Sequence, residues 1–221
     1  MKLLAIETSS ESCSAALYSD GEIRDRHELA PRRHAELILP MVDQLLAEMQ
    51  ISLGTLDTLA FGRGPGSFTG VRIAAGVIQG LAFAADLPVV PVSSLAALAQ
   101  GAIRDSATIL SAIDARMDEI YWGLYRVSDH NVVVPLNQEQ VAKPELIKVP
   151  AGIYCFGVGS GWRRYPELLG LSLDEWLMGF DGDRYPLAAD MVPLALRDFA
   201  LGLAVSADLA LPVYLRNEVT G

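Results

Sequence analysis

The beginning of the chain alternates between short apolar runs and polar breaks, a pattern typical of β-strands joined by tight turns. Leu3–Thr8 and Ser14–Tyr18 are the apolar runs. Asp20-Gly21 then provides a hairpin turn, and Glu22–Leu29 predicts the returning strand. The chain therefore opens with three meandering strands.

Beyond Pro31 the apolar positions change to helical spacing. His34–Gln50 predicts a helix whose apolar face consists of Ile38, Met41, Val42, Leu45 and Met49. The pattern then predicts alternating strands and helices at Thr58–Gly62, Phe68–Ala85, Val89–Val92 and Ser94–Ile103. Hairpin strands followed by crossover helices predict a mixed sheet flanked by helices, and hence an α/β fold.

Strand signals restart after this segment and predict a second, smaller lobe. The predicted strands are Ala107–Ala112, Glu119–Val127, Val132–Pro135 and Ile153–Gly157. Leu187–Gly202 predicts a final helix, and Pro212–Arg216 an extended tail. We therefore expect two mixed-sheet lobes, residues 1 to about 104 and residues from about 105 to 188.

The composition is that of a globular protein and limits the partners it can bind. Hydrophobic residues make up 51% of the chain and charged residues 20%, and the formal net charge is −10. A protein that grips phosphates by itself usually carries a basic face, because counterion release supplies most of that affinity. Stand-alone tRNA binding is therefore disfavoured, although the pair Arg32-Arg33 could make a local contact.

Cysteine usage and hydropathy indicate the compartment. Cys13 and Cys155 form no CxxC pair, which favours buried thiols in a reducing environment. The start lacks an apolar run long enough for a signal peptide. The most apolar stretch, Ile73–Ala85, is interrupted by Gln79 and falls short of a bilayer span. We expect a cytoplasmic protein with no membrane partner.

Two short segments have the residue types of a phosphate-binding loop. Glu7-Thr8-Ser9-Ser10 ends the first strand, where hydroxyl and N–H groups could donate to phosphate oxygens. Gly64-Pro65-Gly66-Ser67-Phe68-Thr69-Gly70 precedes a helix, whose N-terminus attracts anions. It is not a P-loop, because no Lys follows the glycines in the required place. The alternatives are a plain strand end and a sharp turn capped by Ser67.

The predicted helix Phe68–Ala85 carries small residues on one face. Gly76, Gly80 and Ala84 are spaced four apart. Each interior glycine costs about 0.8–1 kcal/mol relative to alanine, so a compensating contact is expected. A flat face suits close packing, and the sequence leaves open whether it packs on the protein's own sheet or on a helix of another chain.

Histidine and carboxylate spacing predicts neither a metal site nor a bound cofactor. No two of the three histidines share a helix at HxxxH spacing. The charged residues of the segment 114–119 are interpreted as a solvated turn with an internal ion pair. No Ser/His/Asp arrangement is indicated.

Four segments together resemble the bacterial TsaB (YeaZ) family, and the resemblance runs the full length of the chain. They are Leu4–Ser9, the specific run Gly62–Arg72, Ala112–Arg116 and Pro212–Arg216. The resemblance implies a two-lobed actin-like ATPase (ASKHA, RNase H-like) fold, with a C-terminal helix at about 187–206 packing back on the first lobe. It also implies a role in making threonylcarbamoyladenosine beside the tRNA anticodon, as a non-catalytic subunit that binds and regulates TsaD together with TsaE.

The comparison with TsaD implies that catalytic groups have been lost. TsaD carries a helix-borne HxxxH metal pair after the strand that here ends at Val92, and Ser94 and Leu98 stand at the two ligand positions. Leucine cannot ligate a metal, and a lone serine is a poor ligand. The superfamily usually has Asp and Gly where Glu7 and Ser9 stand. Possible vestigial nucleotide or phosphate loops are Glu7, Thr8, Ser9, Gly157 and Gly159.

The resemblance and the helix faces together predict a partner interface. We expect a heterodimer with TsaD, TsaE in a ternary complex, a homodimer when the chain is alone, and tRNA contact only through the complex. The predicted interface residues lie on two helices: His34, Ile38, Leu39, Met41, Val42, Leu45, Leu46, Val71, Arg72, Ala75, Gly76, Gln79, Gly80, Phe83 and Ala84.

Two enzymatic functions stand as alternatives. An actin-like ATPase or small-molecule kinase is compatible with the expected fold, but fold alone does not establish function. A metallopeptidase is the other, a label once attached to this wider family. The absence of an HxxxH pair disfavours the metallopeptidase, and the departure at Glu7 disfavours the ATPase.

Overall fold

The first half of the chain forms a five-stranded mixed sheet in the structure, a computed structural model that describes residues 1–216. Its strands are β1 (Lys2–Glu7), β2 (Ser12–Ser19), β3 (Glu22–Leu29), β4 (Thr58–Gly62) and β5 (Val89–Val92). The spatial order is β3-β2-β1-β4-β5. The hairpin strands pair antiparallel, whereas β4 and β5 are added parallel to β1. The predicted mixed sheet with crossover helices is confirmed.

Both faces of this sheet are covered, because successive side chains of β1 point to opposite faces and all from Leu3 to Glu7 are buried. Leu4 and Ile6 point to the side of α1 (His34–Met49) and α2 (Phe68–Ala85), whereas Leu3 and Ala5 point to the side of α3 (Ser94–Gln100). Serine side chains cap the starts of α2 and α3, and residues in the left-handed conformation follow the ends of α1 and α2.

The second half forms a six-stranded sheet with the path β11-β10-β6-β7-β8 and β9 paired to β7. The strands are β6 (Thr108–Arg116), β7 (Glu119–Val127), β8 (Val133–Pro135), β9 (Gln140–Ala142), β10 (Cys155–Val158) and β11 (Leu177–Asp181). The short helices α4 (Ser160–Arg164) and α5 (Pro166–Leu173) lie between β10 and β11. The sequence pattern does not predict β9, β11, α4 or α5.

The last helix, α6 (Ala188–Ala200), lies against the first sheet, where it contacts β1, β2, β4 and β5. It also contacts α3, which in turn touches β6, β7 and β8 of the second sheet. One core cluster therefore includes buried residues from both sheets. The division at about residue 104, with the smaller lobe ending near 188, stays a prediction.

The length of α2 corrects the expectation, made from hydropathy, that the most apolar segment falls short of a bilayer span. The helix α2 has its predicted start at Phe68, where Ser67 caps it, and therefore begins five residues before the apolar run at Ile73. Its 18 residues and mean hydropathy of 1.4 would allow it to cross a membrane by length and composition, and 33% of them are buried in the protein. Its buried side packs on the first sheet, and the absence of a membrane partner stays a prediction.

Candidate functional site

The turn after β1 is closed by its own hydrogen bonds. The Glu7 carboxylate is fully buried, accepts a hydrogen bond from the Ser94 hydroxyl at 2.7 Å and accepts another from the Ser9 N–H at 2.6 Å. Burial raises the pKa of Glu7, and these hydrogen bonds partly counteract the rise. Thr8 donates its hydroxyl proton to the Gly70 carbonyl at 2.7 Å. The groups that could have met a phosphate at Glu7 and Thr8 are therefore engaged inside the protein.

The glycine-rich loop before α2 packs directly on this turn. A Cβ atom at Gly62 would collide with the Glu7 carboxylate, and one at Gly70 would collide with the Thr8 carbonyl. A Cβ at Gly66 would come within 2.5 Å of the Ser9 carbonyl oxygen, which already accepts a hydrogen bond from the Ser67 N–H. These glycines are explained by close approach of two backbone segments. The Ser67 hydroxyl caps α2 by accepting from the Gly70 N–H at 3.4 Å.

The two positions that the resemblance predicts to correspond to the TsaD metal ligands make contacts inside the protein. Ser94 is bound to Glu7 as described, and Leu98 is fully buried. A Cβ atom at Gly159 would lie 2.5 Å from Leu98 Cδ2, so the leucine packs on the second glycine loop. Within residues 1–216 no group of three His, Cys, Asp or Glu side chains could hold a metal ion.

The second glycine-rich loop is filled by an indole ring. Gly157 lies against the fully buried Trp162, which donates from Nε1 to the Leu110 carbonyl at 3.1 Å. Gly159 has a φ of 104°, and it sits close to the Ala112 carbonyl. The predicted vestigial loops thus lie on the two sheets but present packed surfaces.

A large cleft of about 1270 Å³ is lined by residues of both sheets. Seven arginines line it, against only two carboxylates: Arg32, Arg72, Arg116, Arg163, Arg164, Arg184 and Arg216, with Glu11 and Asp114. Five of the seven pair with carboxylates in or beside the cleft, whereas Arg32 and Arg72 form no such pair among residues 1–216. No local sequence signal predicts this cleft, because its arginines come from six separate places in the chain and meet only through the fold.

The two glycines on the outer face of α2 have open space around them in the part of the chain that the structure describes. Gly76 and Gly80 are exposed, and a Cβ atom added at either would meet nothing within 4 Å. Phe83 is 87% exposed beside them, and Ala84 is exposed as well. Packing on the protein's own sheet therefore does not explain these glycines, and a helix of another chain stays a prediction.

Part of the predicted interface is instead hydrophobic core, and this corrects the residue set. Five of its members are buried in the core cluster that the first sheet forms with α1 and α2: Ile38, Met41, Val42, Leu45 and Ala75. His34 and Val71 are buried as well. Their side chains cannot reach a partner in this conformation. Leu39 is 44% exposed, and Leu46 and Gln79 are half-buried. The accessible part of the predicted interface lies mainly on α2, where Arg72, Gly76, Gly80, Phe83 and Ala84 are exposed.

Comparison with known proteins gives consistent matches. The family model described as "TsaD: tRNA N6-adenosine threonylcarbamoyltransferase" matches residues 26–153. The tRNA threonylcarbamoyladenosine biosynthesis protein TsaB of Escherichia coli K12 is 44% identical, over 99% of this chain and 96% of that protein. The TsaB protein of Haemophilus influenzae is 43% identical, over 100% of this chain and 95% of its own length.

A solved structure described as YeaZ from Pseudomonas aeruginosa has the same fold. It superposes with a TM-score of 0.90 at 45% identity, covering 97% of this chain and 99% of that one. Together with the two helix-flanked mixed sheets, these matches confirm the predicted actin-like (ASKHA, RNase H-like) fold class.

Proposed function

The chain belongs to the TsaB (YeaZ) family, which serves in tRNA threonylcarbamoyladenosine biosynthesis, and on this premise we propose that it is a non-catalytic subunit that binds and regulates TsaD together with TsaE. The single observation that carries the proposal is the outer face of α2, where exposed Gly76, Gly80 and Phe83 form an apolar surface that residues 1–216 leave uncovered. The predicted catalytic positions make packing contacts, and the outer face of α2 is exposed. This combination fits a subunit better than an enzyme.

Three contacts support the absence of catalysis. The Glu7 carboxylate is turned inward onto Ser94 rather than toward the cleft. Leu98 supplies no metal-binding atom, and Trp162 fills the space beside Gly157. A phosphoryl-transfer or metal-dependent reaction needs groups positioned on the reacting atoms. The residues aligned with such groups here are used for packing.

The face of α2 supports a helix-to-helix interface. Glycines on exposed helix positions let a partner helix approach near the lower end of the usual 8–10 Å range of axial distances. Phe83, 87% exposed at the end of the same face, supplies the large apolar contact that interface centres usually contain. The same surface could pair with TsaD or, as an isologous contact, with a second copy of this chain.

The cellular setting and the RNA contact belong to the same proposal. We place the chain in the cytoplasm and expect it to reach tRNA through the complex, since its net charge of −10 opposes long-range attraction of RNA. The alternative function, an actin-like ATPase or small-molecule kinase, would require nucleotide turnover by the isolated chain.

Reconstitution tests the proposal. Threonylcarbamoyl transfer to tRNA is measured with TsaD and TsaE, with and without this chain, and ATP hydrolysis is measured with this chain alone. We expect transfer to depend on the chain and no ATP turnover without the partners. Transfer that proceeds equally well without the chain would reject the subunit role, and ATP turnover by the chain alone would favour the alternative.

A further inference from the structure

The tail segment, residues 210–216, follows α2 on the first half of the protein. The Gln79 side-chain amide, beyond the middle of α2, donates to the Ala210 carbonyl at 3.1 Å. The Val213 N–H donates to the carbonyl of Arg63, in the loop before α2, at 2.9 Å. The tail segment therefore runs alongside α2 toward the start of the helix.

Tyr214 holds the tail segment at the start of α2. Its hydroxyl accepts a hydrogen bond from Arg72 Nε at 3.0 Å, and its ring centroid lies 5.8 Å from that of Phe68. The Arg72 guanidinium lies over the Phe68 ring, 3.6 Å from the centroid. Aromatic pairs and cation–π contacts at these distances are attractive. The three side chains together hold this point of the tail segment on the first half of the protein.

Two residues further along the chain, Arg216 contacts the turn between β6 and β7 on the second half. It forms an ion pair with Glu119 at the start of β7. It also donates to the Arg116 carbonyl at 3.5 Å and to Met117 Sδ at 3.3 Å. The Arg216 and Glu119 side chains are only 22% and 32% exposed, so water and salt screen this ion pair less than a fully exposed one. The tail segment therefore joins the two halves of the protein.

The turn that Arg216 contacts has an uncommon backbone conformation. Arg116, Met117 and Asp118 are consecutive, and their φ angles of 62°, 55° and 57° are all left-handed. Residues other than glycine adopt this conformation at a cost in free energy, and it persists where surrounding contacts fix it. The hydrogen bonds from Arg216 to Arg116 and Met117 are among the contacts that fix this turn.

The tail segment crosses the cleft, because Tyr214 and Arg216 both line it. A second ionic contact across the cleft joins Glu11 of the first half to Arg163 of α4 at 3.4 Å, with side chains 53% and 42% exposed. This second pair is more exposed, so the tail segment makes the stronger of the two connections. The halves also share the apolar core around α3 and α6, which would act as the hinge if the cleft widened.

We propose that the tail segment is a strap that ties the start of α2 to the β6–β7 turn and keeps the cleft between the two sheets narrow. While the ion pair between Arg216 and Glu119 is intact, the strap opposes movement of the turn away from α2. When the pair is broken, the second sheet is free to swing about α3 and α6. The inference does not depend on the proposed subunit role, because every contact that carries it lies within this chain.

Reversing the charge of Arg216 in the full-length protein tests whether this ion pair closes the strap. Arg216→Glu places a carboxylate beside Glu119, and the like charges should repel the strap from the turn. The Val213 N–H, which is bonded to Arg63 in the closed strap, should then exchange with deuterium at least about tenfold faster in NMR measurements. Arg216→Gln, which introduces no repulsion, should give roughly fivefold faster exchange and serves the same test if the reversal impairs folding.

A distance measurement tests whether the strap controls the cleft. Spin labels are attached to cysteines introduced at Leu39 of α1 and Leu171 of α5, which are exposed and lie on different halves of the protein. The native Cys13 and Cys155 are buried, which limits their labelling. Double electron–electron resonance should give a distribution of label distances that broadens toward longer values in the Arg216 variants.

A rescue and a matched control show whether the effect belongs to this ion pair. Combining Arg216→Glu with Glu119→Arg restores opposite charges and should return both the exchange rate and the label distances to those of the original protein. Arg164→Gln removes a cleft arginine that pairs with Asp114 inside the second half, and it should change neither measurement. Original label distances in a folded Arg216→Glu protein would overturn the proposal even if exchange were faster. Equal changes in Arg164→Gln would overturn it as well.

Discussion

At the scale of single residues, Asp190 illustrates how burial controls charge in this protein. It lies in the first turn of α6, with its carboxylate packed against Gly101, where an added Cβ would come within 2.6 Å of Oδ2. Burial raises the pKa of Asp190 from 3.8 to about 6, partly offset by Arg184 and reinforced by Asp25. The folded protein therefore holds a proton on this group at pH values where the unfolded chain has lost it.

This difference gives a pH-dependent prediction for Asp190→Asn. Because the folded pKa is the higher one, ionised Asp190 costs folding free energy, and stability is lost as the pH rises from about 4 through about 6. The full cost at neutral pH is up to about 3 kcal/mol. We expect Asp190→Asn to raise the free energy of unfolding by about 1–3 kcal/mol at pH 7.5, with a smaller gain at pH 5.

Urea unfolding at the two pH values measures this effect. Asp43→Asn, at an exposed position on α1, serves as the control and should change stability little at either pH. An Asp190→Asn protein that was less stable than the original at pH 7.5 would mean that the carboxylate makes a favourable contact outweighing its burial.

A second residue-scale prediction concerns metal content. The Ser94 hydroxyl donates a hydrogen bond to Glu7 and Leu98 is fully buried, so we expect no metal ligand at either of these two predicted positions. We expect the purified chain to contain less than a stoichiometric amount of zinc or iron by mass spectrometry, while TsaD purified in parallel serves as the positive control. One tightly bound metal ion per chain would contradict the prediction that Ser94 and Leu98 bind no metal.

The residue types at these positions could be predicted from the sequence, but their contacts could not. The sequence indicates a departure from the phosphate-binding pattern at Glu7 and predicts that Ser94 and Leu98 bind no metal. The hydrogen bond between Glu7 and Ser94 joins residues 87 positions apart, which β1 and α3 bring together only in the folded sheet. The roles of Gly62, Gly66 and Gly70 as points of backbone contact depend on the same packing.

At the scale of elements, the long helices and central strands were predictable because each has strong local signals. The predicted bounds of α2, Phe68 to Ala85, are confirmed, since Ser67 caps its start and Asp86 ends it in the left-handed conformation. The missed elements are short: β9 has three residues and α4 five. In such segments pairing with neighbours decides the conformation, so periodicity carries too little information.

The exposed glycines of α2 give a prediction that separates folding from binding. Gly80→Ala should stabilise the isolated chain by about 0.8–1 kcal/mol, because the glycine is in a helix interior with open space around it. Gly80→Leu should also stay folded, but it should weaken association with TsaD, and any self-association, by roughly ten- to hundredfold through overpacking. Urea unfolding and calorimetric titration with TsaD measure the two effects.

A matched control tests whether the effect belongs to this face. Gly170→Leu also places a leucine at a helical glycine with open space, on α5 beside the second sheet. It should leave the affinity for TsaD unchanged. If a folded Gly80→Leu protein bound TsaD as tightly as the original, the α2 face would not be the interface.

At the scale of the whole molecule, the two sheets share one core cluster. Leu3 of β1 and Ile109 of β6 belong to the same cluster as Leu98 of α3 and Met191 of α6. A polar contact adds to this connection, because Glu139 accepts hydrogen bonds from Ser93 at the start of α3 and from Tyr125 of β7. Two strand-rich lobes could be predicted from the order of strands and helices. The shared core and the cleft could not, since both arise from how α3 and α6 sit between the sheets.

This shared core predicts that the protein unfolds in one cooperative transition. All three tryptophans, Trp122, Trp162 and Trp176, lie in the second half of the chain, so their fluorescence reports the second sheet, whereas far-UV circular dichroism reports both sheets. We expect the two signals to have the same midpoint in urea.

Leu98→Ala, which removes a fully buried side chain of α3, should lower the free energy of unfolding by about 2–5 kcal/mol and shift both signals together. The exposed substitution Leu171→Ala on α5 is the control and should shift neither midpoint appreciably. A fluorescence transition separated from the dichroism transition, or one that Leu98→Ala left in place, would mean that the second sheet folds independently and that α3 does not join the two sheets energetically.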